Sequence, residues 1–234
     1  MLKVESIVKS IKRKVILNNI SLIVNSGKIV GLFGPNGAGK TTTFLIISGF
    51  LKQDSGRIIL NGKDISAIPA YERSKYGIIL LPQNATFFPE ISVYDNFKMV
   101  CDIRGISEKN IYSICEEFSI APLLQRISGT LSGGERRKAE IARAFMTSPS
   151  FLLLDEPFAG IEPKMVEKII SMILRIKNSG TGILISDHNV RDAMSSCDFS
   201  YIIYEGRVLT YGTPSDVLQS QFAREIFFGE SFTL

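Results

Sequence analysis

Apolar positions in this chain fall in short bursts of four to six, each closed by a turn signal. In the first third, Ile20–Val24, Lys28–Phe33 and Gly56–Leu60 read as strands. Asn25-Ser26-Gly27 and Asn61-Gly62 mark turns between them. A helix is predicted from Gly39 to about Ile47, directly after a strand. A second strand–helix rhythm follows in Phe151–Leu154, Pro163–Asn178, Gly182–Ser186 and Asn189–Ser196. Strands alternating with helices predict an α/β fold with parallel strands and covering helices. Between the halves, Ala85–Thr130 has helical patches (Val93–Ile103, Glu108–Phe118) and little strand character, so it reads as a helical insertion. Tyr201–Tyr204, Glu205-Gly206 and Arg207–Tyr211 predict a hairpin. Thr213-Pro214 opens a short helix, Thr as cap and Pro in the first turn.

Composition narrows the class. The chain has 234 residues, 45% of them apolar, enough for one core with an attached subdomain. No run approaches the ~20 apolar residues that span a bilayer. Met1–Glu5 lacks the hydrophobic region of a signal peptide, so a cytoplasmic chain is expected. Three scattered cysteines, Cys101, Cys115 and Cys197, form no CxxC pair and predict free thiols. A net charge of +4 is too mild for a nucleic-acid surface. The run Lys9–Lys14, broken by Ser10 and Ile11, reads as a solvated strand or turn.

Three motifs carry chemistry. The first is Gly34-Pro35-Asn36-Gly37-Ala38-Gly39-Lys40-Thr41, with Thr42 behind it, which fits G-x-x-x-x-G-K-[ST]. Backbone N–H groups must wrap an anion closely, so glycines clear the way, and the following helix adds a positive dipole end. Lys40 is expected on the β/γ-phosphates and Thr41 on Mg²⁺. The second is Asp155-Glu156 at the end of the Phe151–Leu154 strand, stopped by Pro157. An acidic pair at a strand end is by itself a solvated turn. Downstream of a phosphate loop, Asp155 suits Mg²⁺ and Glu156 suits the attacking water. The third is Leu131-Ser132-Gly133-Gly134-Glu135, where Ser132 and Glu135 have capping-box spacing. The helix continues through Arg136–Met146, with Ala139, Ile141, Ala142 and Phe145 as its apolar stripe. A cap does not need two glycines, each unfavourable by up to about 1 kcal/mol in a helix. An anion that comes close does, so this is a second helix start built for phosphate.

The phosphate loop, then LSGGE, then FLLLDE, then His188 after a strand together resemble an ABC ATPase over essentially the whole chain. The resemblance implies a P-loop core with a mixed sheet, an antiparallel β subdomain and a helical subdomain. It places one domain over residues 1–234, the helical part at about 85–145 and a terminal hairpin with helices at about 198–234. It implies ATP and Mg²⁺, and a homodimer in which one subunit's LSGGE completes the other's ATP site. Gln83 resembles the glutamine that touches Mg²⁺ and water, and His188 the histidine that senses the γ-phosphate; with Glu156 these are the expected catalytic residues. Thr41, Gln83 and Asp155 are the implied metal ligands. Phe158–Glu162 resembles the loop crossing the dimer interface, with Glu162 where the family usually has Asp. The family's adenine-stacking aromatic is absent. Ile11 stands there, predicting weak base discrimination.

With one cassette and no span, the resemblance implies membrane permease subunits as partners. It places the chain on the cytoplasmic face of the inner membrane. Phe87 and Phe88 are the expected groove for a partner's helix. Ser186–Asp192, Asp155–Gly160, Ile91–Asn96 and the ending Phe228–Leu234 resemble the lipopolysaccharide-export branch. A branched-chain amino-acid importer ATPase is the nearest rival, Asp187 standing where that branch has Glu. A soluble non-transport ABC ATPase is a further alternative. A kinase would leave LSGGE without purpose.

Overall fold

A computed structural model describes residues 1–188, 190–221 and 224. The last segment of the branch resemblance, Phe228–Leu234, and Asn189 lie outside the described residues.

The chain begins with a long hairpin, β1 (Leu2–Ile11) and β2 (Lys14–Val24), then β3 (Ile29–Phe33) and α1 (Lys40–Ser48). Next come β4 (Ser55–Leu60), β5 (Lys63–Asp64), α2 (Ala70–Lys75) and β6 (Ile78–Leu81). Three helices follow, α3 (Val93–Arg104), α4 (Lys109–Glu117) and α5 (Gly133–Met146). The second half runs β7 (Phe151–Asp155), α6 (Pro163–Asn178), β8 (Gly182–Ser186), α7 (Val190–Ser195), β9 (Phe199–Tyr204), β10 (Arg207–Gly212) and α8 (Pro214–Gln219).

The strands form two sheets. One is antiparallel, in the order β2-β1-β4-β5. The other is mixed, β10-β9-β3-β8-β7-β6, and parallel except for the β10–β9 hairpin. Strands β3, β7 and β8 are buried at every position. That is why they read as continuous apolar runs: a parallel sheet is covered on both faces. Alternate side chains divide between two cores. Leu153 and Leu184 join the core made with α1 and the antiparallel sheet. Leu152, Leu154, Ile183 and Ile185 join the core made with α3 to α6.

Helix starts follow their caps. Ser132 accepts from Glu135 N–H while the Glu135 carboxylate reaches back to Ser132 N–H, a complete capping box on α5. Thr213 and Asp216 do the same for α8. α1 ends at Gly49, in the left-handed region at φ +84°. The three cysteines are free and buried, and burial pushes the Cys115 and Cys197 thiols up to about 12, so both stay protonated at neutral pH. No helix among the described residues is long and apolar enough to cross a membrane.

Candidate functional site

Because β3, β6, β7 and β8 are parallel, their carboxyl ends lie along one edge of the sheet. The four loops leaving that edge carry Gly34–Lys40, Gln83, Asp155-Glu156 and Asp187-His188. Sequence-distant groups therefore meet there. Glu156 Oε2 accepts from Gln83 Nε2 at 2.7 Å and lies 3.3 Å from His188 Nδ1. Glu156 holds this place at φ +47°, a region that non-glycine residues rarely occupy. Its backbone N–H donates to Ser186 O at 2.8 Å, tying it to the neighbouring strand. Asp155 is buried and its Oδ1 accepts from Ser186 Oγ at 2.5 Å.

Lys40 Nζ donates to Gly34 O (2.7 Å) and Pro35 O (3.0 Å), folding the loop over its own lysine. Burial lowers the Lys40 pKa, and Glu156, Asp155 and Asp187 oppose that shift. A buried ammonium facing only carbonyls and distant carboxylates is a strong pull on an incoming phosphate. Lys14, Ile16, Asn36, Gly37, Gly39, Lys40, Thr41, Thr42 and Glu156 line a cavity of about 390 Å³ here. Ile11 is not among them; the hairpin presents Lys14 and Ile16 instead.

The loop glycines serve more than the ligand. A Cβ at Gly34 would fall 2.0 Å from Ile203 O, and one at Gly39 would fall 2.4 Å from Leu17 Cδ2. Both are required by the fold around the loop. Only at Gly37, at φ +80°, is the space where a Cβ would sit open. The second motif divides in the same way. A Cβ at Gly134 would meet Met165 Cγ at 2.3 Å, whereas at Gly133 the nearest atom is Gly160 O at 3.9 Å. Gly134 lets α5 pack on α6, and Gly133 leaves the helix start open.

Ser132 and Gly133 are exposed, and none of Leu131 to Glu135 lines the cavity beside the phosphate loop. Gly133 instead borders a separate cavity of about 140 Å³ with Gln83, Arg137, Glu156 and Gly160.

Sequence reasoning missed the buried polar network on α5. Arg137 donates to Pro82 O (2.8 Å) and Asp155 O (3.0 Å) and pairs with Glu140 at 3.5 Å. Glu140 accepts from the N–H groups of Thr86 and Phe87. Arg143 donates to Thr86 and lies over the Phe87 ring. The three-residue spacing of Arg137, Glu140 and Arg143 is the signal that these charges lie along one side of the helix.

The two aromatics expected to form a partner groove separate. Phe87 is 6% exposed and stacks edge-on against Phe97, which makes it a core residue and corrects that expectation. Phe88 is 57% exposed and lines a mostly apolar groove of about 390 Å³ with Leu80, Val100 and Ile103.

The donors available to a metal are hard oxygens, from Asp155, the Thr41 hydroxyl and Gln83, whose carbonyl oxygen is free because its amide N–H donates to Glu156. No group of three His, Cys, Asp or Glu among the described residues could hold a metal alone. That fits Mg²⁺, which takes few protein ligands and completes its shell with water and phosphates.

Residues 17–159 match the family described as ABC transporter. The chain is 42% identical over 239 residues to the lipopolysaccharide export system ATP-binding protein LptB of Haemophilus influenzae, spanning 100% of this chain and 99% of that one. It is 44% identical over 238 residues to LptB of Escherichia coli K12, with the same coverage. Among solved structures, it superposes on the ADP conformation of an ABC-transporter cassette with a TM-score of 0.90 at 30% identity, covering 98% of this chain and 99% of that one. A nucleotide-free cassette gives 0.89, at 30% identity and the same coverage.

Proposed function

This chain belongs to the ABC transporter family, and on that premise we propose that two copies hydrolyse two ATP to drive lipopolysaccharide export from the inner membrane. The observation that carries the hydrolytic reading is the Glu156 carboxylate, bordering the phosphate-loop cavity and held by Gln83 and His188. Lys40 and the N-terminus of α1 bind the β- and γ-phosphates. Thr41, Asp155 and Gln83 would hold a Mg²⁺ ion, which would supply neutralisation of charge on those phosphates. Glu156 orients the attacking water, and His188 senses the γ-phosphate beside it. Phosphoryl transfer of this kind is mainly positioning and electrostatic stabilisation.

The dimer is supported by a motif with no ligand in its own chain. Ser132 and Gly133 at this helix start are exposed, and none of Leu131 to Glu135 lines the chain's own phosphate-loop cavity. A second copy facing the first would bring it onto the γ-phosphate. The Phe158–Glu162 loop lies between the two sites. Closure then reaches membrane subunits through Gln83 and the mostly apolar groove at Phe88, a kind of surface on which a partner's helix can dock. The chain would sit on the cytoplasmic face of that membrane. The cargo rests on the identity to the two LptB proteins along the full chain.

Glu156→Gln tests the assignment. The variant should bind ATP as the wild type does, lose at least ~10²-fold in phosphate release, and accumulate as an ATP-bound dimer by light scattering. Full turnover would remove Glu156 from its role.

A further inference from the structure

The helical half of the molecule carries a cavity of about 340 Å³ that shares no residue with the phosphate-loop cavity. Three cations line it: Lys138 of α5, and Lys168 and Arg175 of α6. Lys168 and Arg175 are seven residues apart, so α6 presents both on one face. The one carboxylate in the lining is Glu117, at the end of α4. Arg175 donates to Glu117 O at 2.8 Å, which holds its guanidinium beside the end of α4. Neither Lys138 nor Lys168 has a hydrogen bond or ion pair to another described residue.

Like charges gathered without a counter-charge disfavour one another. That cost is felt here: burial, then the charge of Lys168, lowers the Lys138 pKa. Glu135 opposes the shift without cancelling it. Its carboxylate is already engaged, pairing with Arg126 at 3.0 Å and accepting from Ser132 N–H. Three cations against one carboxylate leave two positive charges on the cavity. An incoming dianion would relieve the repulsion and gain charge-assisted hydrogen bonds from ammonium and guanidinium together.

We propose that this cavity is an anion site for a soluble phosphate-type dianion, held by Lys138, Lys168 and Arg175 and separate from the ATP site. The placement on α5 selects a soluble source over a lipid headgroup. Glu140, Arg143, Ala144 and Thr147 of the same helix line the groove at Phe88. At ~100° per residue, Lys138 lies about 180° around the helix from them. The groove is the side assigned above to membrane subunits, so the choice of source rests on that reading. The cation cluster does not. A bound dianion would tie α4, α5 and α6 together.

Inorganic phosphate, titrated at constant ionic strength onto the full chain carrying Lys40→Ala, tests the site apart from the phosphate loop. The ³¹P linewidth should respond saturably, and the melting temperature should rise with phosphate more than with matched NaCl. Adding Lys138→Gln or Lys168→Gln should weaken binding by about tenfold or more, and Lys168→Arg should keep it. Lys168→Gln should also melt at or above its parent in NaCl, because it removes a repulsion. A linewidth that does not saturate, or an affinity unmoved by Lys168→Gln, would overturn the site. So would a Lys168→Gln chain that melts lower in NaCl, since the charge would then serve the fold alone. Sedimentation with phosphatidic-acid vesicles tests the source. Uptake that depends on Lys168 and is not displaced by free phosphate would overturn the soluble ligand and the membrane orientation together, while leaving the ATP-site assignment standing.

Discussion

Glu156 and Gly134 show how much one residue can decide. The backbone at Glu156 is held at φ +47° by its N–H bond to Ser186 O, and that twist turns the carboxylate toward Gln83 and His188. Strain of this kind, about 1–3 kcal/mol, persists where surrounding structure over-determines it. Gly134 decides a packing contact. Gly134→Ala should lower stability by about 1–3 kcal/mol through overpacking against Met165, read from urea unfolding, and adding Met165→Ala should recover most of it. Gly133→Ala, which meets nothing closer than 3.9 Å, should leave stability unharmed. A Gly134→Ala chain as stable as the wild type would contradict the packing account. The chemistry at this scale was legible because phosphate and Mg²⁺ demand particular residue types at fixed offsets. The partners of individual glycines were not. Ile203 lies far along the chain from Gly34, and no local pattern connects them. Phe87 and Phe88 are adjacent and chemically alike, so only the tertiary fold sends one inward and one outward.

Elements were legible where a cap or a continuous apolar run marks them. The α5 and α8 capping boxes and the β7 and β8 runs are of this kind. β1 was not legible, because its alternation slips. Leu2 and Val4 are buried, then Ser6 at φ +49° shifts the register and Ile7 becomes the next core residue. The short α2 has no side-chain cap to announce it. The register of β3 depends on a residue outside it. Asp198 accepts from Ile29 N–H at 2.8 Å and pairs with Lys177 at 2.8 Å and Lys28 at 3.3 Å. Burial raises the Asp198 pKa, but Lys177, Ile29 N–H and Lys28 outweigh it, and the net value is lowered. A carboxylate with a lowered folded pKa stabilises fully above its unfolded value, near 4, and loses that contribution as pH falls through the folded one. Asp198→Asn should therefore remove about 1–2 kcal/mol at pH 7. The gap between variant and wild type should close below pH ~4. Urea midpoints across pH read this directly, and a gap that stays constant into acid would contradict it.

At the scale of the molecule, alternating strands and helices gave the class, but not the order β9-β3-β8-β7. That order brings the four loops to one edge, and it arises from long-range pairing that no local period records. The helical segment between β6 and β7 sets α5 against the sheet through Arg137, which bonds both Pro82 O after β6 and Asp155 O at the end of β7. The same helix begins at Gly133, the exposed glycine of the second motif. In the proposed dimer, one rigid element would thus link the site a chain owns to the site it completes for its neighbour.

That sharing is the central claim, and mixing two damaged chains tests it most directly. Lys40→Ala removes the phosphate grip and leaves the Ser132–Glu135 helix start intact. Ser132→Arg blocks that start and leaves the grip intact. Neither should release phosphate from ATP alone. Mixed, the intact loop of one chain meets the intact helix start of the other, and turnover should return. Ser132→Arg hydrolysing ATP by itself at the wild-type rate would contradict the account, because the site would then be complete within one chain.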